Sequence, residues 1–191
     1  MSTTLLRSYA VEDAQIDGRT LDVRCVPYGV VAVVRDRRDD GTWTPPYQEA
    51  WERGAFRHVS RAANRVPLVV GRHSQRGDPF SDIGRGVDFD EREDGLHGSF
   101  VVDSSPFGEH ALAKVVSGQW RGISIGAAPR RHRDEGNPER GGTRWRTLAH
   151  LDHVLLTEAP AYVDAEVLAV REQEATRMDR WLAKYPLAGG R

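Results

Sequence analysis

Only one cysteine, Cys25, stands among the 191 residues. A single thiol cannot form an intrachain disulfide or a cysteine-based zinc site, and it fits a reducing, cytosolic setting. Long hydrophobic runs are missing too. Nothing approaches the roughly 20 apolar residues that cross a bilayer, and the start, Met1 through Arg7, lacks the apolar segment and cleavage site of a secretory signal. No membrane partner is therefore expected. Charge of one sign is not in excess: 27 Lys and Arg face 28 Asp and Glu, which leaves no global electrostatic case for nucleic acid and none is expected as a specific partner. There is no internal repeat at any convincing period, which sets solenoids and propellers aside.

What remains is ordinary globular material, 39% apolar and 29% charged, in a chain long enough for one domain with a real core. Leu21 to Pro27 alternates as a half-buried strand does, and Val30 to Val34 forms a second short apolar run. Arg35 to Pro46 reads as an exposed loop. Tyr47 to Trp51 is extended, Gly54 to Asn64 helix-like, and Val66 to Val70 a compact apolar strand that delivers Gly71-Arg72-His73 to its end. After a loop from Arg72 to Ser81, two strands, Ile83 to Asp90 and Leu96 to Val102, are joined by a charged turn ending in Gly95.

Ser105-Pro106 opens a helix, serine as N-cap and proline in the first turn, with Ala111, Leu112, Val115 and Val116 on one face and Gly118 at its end. Pro129 to Gly142 carries four arginines and no hydrophobic periodicity, and is expected to be a mobile surface loop. Arg144 to Leu148 and Leu151 to Leu156 read as strands, Val167 to Val170 as a last short one, and Glu172 to Leu182 as a charged helix or tail. Strands dominate, helices are inserted, and no βαβ alternation is visible. The fold class is α+β, a mainly antiparallel, barrel-like sheet with a few helices.

One stretch stands apart, Arg121-Gly122-Ile123-Ser124-Ile125-Gly126. On a strand, Ile123 and Ile125 face one way while Gly122, Ser124 and Gly126 face the other, so the serine hydroxyl stands in a clearing open to close approach by another backbone. A serine nucleophile needs a base, and that base needs a third group to orient it. Of the seven histidines, His58, His97, His110 and His132 fit solvent-exposed positions. His73 lies just past an apolar strand, where loops gather, and His153 falls inside the core-like run Leu151 to Leu156. Asp152 and His153 point to opposite faces of a strand, so at most one of them faces the serine, and the pattern leaves open which. His150 and His153 have a His-x-x-His spacing without the helical context of a zinc site, so neither a metal nor another cofactor is expected.

The ordered set Glu49 to Phe56, Val69 to His73, Ile83-Gly84, Gly95 to Gly98, Gly118 to Gly126, Asp152 to Thr157 and Pro160-Ala161-Tyr162 resembles the prohead proteases of tailed bacteriophages, which are related in fold to the herpesvirus assemblin proteases. The similarity covers about Leu21 to Arg171 and divides the chain into an N-terminal extension (1–20), a protease domain (21–171) and a charged C-terminal helix or tail (172–191). It implies a herpesvirus protease-like fold and a serine endopeptidase of capsid maturation, with Ser124 as nucleophile and His73 as general base. His153 matches the third position, a histidine in assemblins, where many phage relatives carry a glutamate.

Arg130 and Arg131 resemble in composition the assemblin arginine pair that stabilises the oxyanion. The implied partners are the phage major capsid protein and scaffold protein, with a second copy in a homodimer, and the implied place is the assembling procapsid in the host cytoplasm. A catalytically inactive assembly protein of the same fold is the rival reading. A small-molecule esterase is disfavoured, because Ser124 lies within a strand and not on a strand-to-helix elbow.

Overall fold

The computed structural model describes residues 5–11, 16–36, 40–71, 81–120, 122–157 and 165–166. Its elements in chain order are β1 (Leu5–Val11), β2 (Ile16–Asp17), β3 (Thr20–Pro27), β4 (Ala32–Val34), β5 (Tyr47–Trp51), β6 (Pro67–Val70), β7 (Ser81–Glu91), β8 (Gly95–Val102), α1 (Pro106–Val116), β9 (Gly122–Glu135), β10 (Thr143–Thr157) and β11 (Ala165–Glu166). Short 3-10 segments lie at Val59–Arg65 and Pro138–Arg140.

The strands form one sheet along the path β11-β1-β9-β10-β6-β7-β8-β3-β2, with β5 also on β10 and β4 on β5. Among the described residues most ladders are antiparallel, while β11 on β1, β5 on β10 and β6 on β10 are parallel. The result is an open, mixed sheet with few helices, in keeping with the α+β class. The expected barrel is not closed by any ladder joining β2 to β11 among the described residues.

Local physics accounts for these elements. On β3, Leu21, Val23 and Cys25 are buried and alternate with partly exposed Asp22 and Arg24, the period of two expected for a sheet with one wet face. Burial pushes the Cys25 thiol pKa up, so it is an inert core group. The β7–β8 hairpin forms as expected, its turn closed by Arg92 N–H donating to the Gly95 carbonyl at 2.9 Å. Helix α1 is capped as its sequence requires: Ser105 Oγ accepts from Gly108 N–H at 3.1 Å, and Ala111 and Val115 turn into the core. It ends at Gly118, whose φ of 71° a side chain would disfavour.

Residues 1–20, expected as an N-terminal extension, include β1 and β2, and β1 lies directly against β9. The helix-like stretch expected from Gly54 to Asn64 is a run of tight turns followed by the 3-10 segment, interrupted at Ala62 (φ −144°, ψ 37°). One expectation is corrected. Pro129 to Gly142 is not a loop, because β9 continues to Glu135 and pairs with β10 from Thr143 onward. This hairpin runs beyond the core, so both faces meet solvent and the sequence has no apolar alternation to reveal it. Side chains hold it instead. Arg144 grips Asp134 in a two-pronged pair at 2.8 Å, Arg133 reaches Glu52 at 3.0 Å, and Trp145 Nε1–H donates to Glu135 at 3.0 Å.

At its base Arg146 and Glu49 form a buried pair at 2.6 Å, with Arg146 also donating to the Tyr47 hydroxyl at 2.8 Å. The strand expected at Val167 to Val170 and the tail from Glu172 lie outside the described residues.

Candidate active site

The period of two on β9 divides its middle as its sequence demands. Ile123, Ile125 and Ala127 enter the core, and Ser124 faces the other side with no exposed surface, at 0%. The strands on either side are set by register. Ser124 lies opposite Ser8 of β1 and Leu155 of β10, Leu155 lies opposite Val69 of β6, and Val69 lies opposite Asp82 of β7. Directly opposed residues share a face. One row across five strands therefore runs from β1 through the serine to Asp82.

His153 reaches this face. It lies opposite Gly126, two residues beyond Ser124 on the same side of β9. A methyl group added to Gly126 would sit 2.2 Å from His153 Cε1, 2.5 Å from Nδ1 and 2.8 Å from Nε2. The imidazole thus lies across the space that the missing Gly126 side chain leaves free, on the serine's side of the strand. Burial pulls the His153 pKa below its ordinary value, and the carboxylates of Asp152 and Asp82 pull weakly the other way. The ring is neutral at pH 7 and able to accept a proton.

The register between β9 and β10 steps over Asp152, from Leu151 opposite Ala127 to His153 opposite Gly126. This bulge places His153 opposite Gly126, on the serine's side of β9. Asp152 lies 3.8 Å from the exposed His150, and its charge still acts on His153.

Arg130 and Arg131 are not brought to the serine. They follow it by six and seven residues on the same strand, about 20 Å at the rise of an extended chain. That exceeds the reach of a guanidinium, and both are exposed. His73 lies outside the described residues. Of the histidines expected at the surface, His58, His110 and His132 are exposed, while His97 is partly buried and bonded to Asp94 at 3.0 Å.

Two participants escaped the sequence reading. Asp82 joins the row only through the pairing of β6 with β7, for which the sequence carries no local signal. Gly126 was visible as half of the clearing around Ser124, but not as the bed of an imidazole.

No curated protein sequence matches the chain. The solved structure of the bacteriophage T4 capsid assembly protease gp21 aligns with a TM-score of 0.38 at 11% identity, over 78% of this chain and 98% of that one. Residues 32–180 match the family model of the caudovirus prohead serine proteases, and the chain belongs to that family.

Proposed function

We propose that the chain is the endopeptidase of phage capsid maturation, that it cleaves the scaffold protein or the scaffold region of the capsid protein inside the procapsid, and that Ser124, His73 and His153 carry the chemistry. The single observation that supports the triad best is the His153 imidazole lying across Gly126 on the face of Ser124.

In this reading Ser124 Oγ attacks the scissile carbonyl carbon, and His73 takes the hydroxyl proton and passes it to the leaving amine. Water then attacks the acyl-enzyme by the same route in reverse. His73 follows Val70 by three residues, a span of about 10 Å when extended, and β6 lies two strand spacings, again about 10 Å, from β9. The chain length is therefore sufficient. A neutral His153 accepts the second N–H of His73 and fixes its tautomer. It supports the developing imidazolium less than a carboxylate would, and the charges of Asp152 and Asp82 on His153 offset part of that deficit. Ser124 is wholly buried, so its hydroxyl must become accessible to substrate before acylation.

A slow protease of this kind suits a closed shell, where enzyme and substrate are held at high effective concentration. The test is co-expression with the scaffold and capsid proteins followed by intact mass measurement. Wild type is expected to leave shortened products and Ser124→Ala none, with the same thermal unfolding. Products that persist in the Ser124→Ala protein would refute the assignment.

A further inference from the structure

Between Glu52 and Asp78 the sequence holds no acidic residue, yet it holds Arg53, Arg57, Arg61 and Arg65 within its first half. The structure turns this stretch into a surface ridge. Tight turns, with Ala55 N–H bonded to the Glu52 carbonyl, Arg57 N–H to Gly54 and Val59 N–H to Phe56, lead into the 3-10 segment. Ala55, Phe56 and Ala63 point into the core, and the exposed residues are Arg53, Arg57, His58, Ser60, Arg61, Asn64 and Arg65. At roughly 2 Å per residue the 3-10 segment that carries Arg61 and Arg65 is about 14 Å long.

Most arginines elsewhere on the described surface are neutralised: Arg19 by Glu109, Arg24 by Asp94, Arg85 by Asp82, Arg92 by Asp90, Arg133 by Glu52 and Arg144 by Asp134. On the ridge, among the described residues, no carboxylate lies within ion-pair distance of any of the four. The neighbouring acids are engaged elsewhere. Glu52 pairs with Arg133, and Glu91 accepts from the Tyr28 hydroxyl at 2.8 Å and from Phe56 N–H at 2.9 Å. Arg57 spends its guanidinium on the Gly54 and Thr147 carbonyls, which leaves its charge uncompensated.

We infer that this ridge is an exosite for an acidic peptide segment of the protein substrate, gripped through arginine–carboxylate pairs while the cleavage site engages Ser124. This rests on the protease reading above and names its substrate class. Arginine presents a planar fork that matches carboxylates, and an uncompensated row of four selects a chain with several acids. Nucleic acid fits less well. The ridge's aromatic ring, Phe56, is buried and offers no stacking platform, and the whole chain has a formal net charge of −1, which does not attract a long polyanion.

The experiment measures fluorescence anisotropy of a labelled 20-residue glutamate-rich peptide, a glutamine-rich counterpart and a duplex DNA of similar length against the full-length protein. Three variants are compared with wild type: the four ridge arginines changed to Gln; Arg53, Arg61 and Arg65 alone changed, which spares the carbonyl contacts of Arg57; and Arg24, Arg85, Arg92 and Arg144 changed to Gln, which removes the same charge from paired sites. Surface ion pairs, each worth about twofold, predict about sixteenfold weaker binding of the acidic peptide by the four-arginine variant and about eightfold by the three-arginine variant, less than about twofold by the control, and a steep loss in salt.

Equal weakening by ridge and control variants, absence of binding by wild type, or tighter ridge-dependent binding of the DNA would each overturn the inference. Labelling of Ser124 by a small sulfonyl fluoride is read in parallel and is expected to be unchanged in the ridge variants. Its absence in wild type would count against the protease mechanism itself, separately from the exosite.

Discussion

Gly126→Ala is the most pointed perturbation of the proposed site, because its effect follows from one set of distances. The new Cβ would lie 2.2 Å from His153 Cε1, where ordinary contact begins at 3.4 Å, so the ring must retreat by about 1.2 Å or tilt away from the serine. A displacement of that size in a catalytic constellation costs about 100-fold in rate, or roughly 2.7 kcal/mol of transition-state stabilisation. The same crowding costs about 1–3 kcal/mol of folding stability, against which alanine regains some of the backbone entropy that glycine loses. The assay is kcat/KM for cleavage of a scaffold-derived peptide, with thermal unfolding as the control, in both the natural and the His153→Ala backgrounds. If Gly126 acts only by bedding the imidazole, the loss appears in the first background and nearly vanishes in the second. An equal loss in both, or no loss in a protein that folds normally, would show that the ring's place over Gly126 has nothing to do with catalysis.

Other outcomes follow from the same structure. His153→Ala is expected to slow turnover much more than Asp152→Ala, measured on the same peptide, and the reverse order would mean that the bulge presents the aspartate to the site. Glu49→Ala strands the Arg146 guanidinium in a buried pair and should cost about 3–5 kcal/mol in urea unfolding, while sulfonyl fluoride labelling of the remaining folded protein is unchanged. Ser105→Ala removes the hydroxyl that caps α1 and should cost about 1 kcal/mol, readable as a lower denaturation midpoint. The pKa of His153 is lower in the folded than in the unfolded chain, so the unfolded state takes up its proton first as pH falls. Its contribution to stability is intact above the ordinary histidine value of about 6.5 and declines below it. His153→Asn should therefore flatten the fall in the urea midpoint between neutral pH and pH 5, and an unchanged slope would count against a buried neutral ring.

Much of the framework was legible in local pattern. Alternation at Leu21, Val23 and Cys25, the β7–β8 hairpin with its Gly95 turn and the Ser105 cap of α1 all express short-range rules that neighbours in the chain obey by themselves. The division of β9 into an isoleucine face and a serine face was equally plain, because a period of two needs no tertiary information. The arginine-rich hairpin reads as a loop in the sequence for a physical reason. Strands that leave the core have no buried face, so their order rests on cross-strand ion pairs that span tens of residues, such as Arg133 with Glu52.

Sequence by itself decided most of the core strands, the capped helix α1, and that a serine would stand between glycines with isoleucines behind it, since these follow from propensity and periodicity within a few residues. Tertiary pairing decided the rest: that β1 lies beside the serine, that Asp82 belongs to its row, and that a one-residue bulge at Asp152 sets His153 over Gly126. Register between distant strands is a property of the assembled sheet, and a slip of one residue reverses every side chain. No local pattern could have fixed which of two adjacent polar residues lies on the serine's side of the sheet.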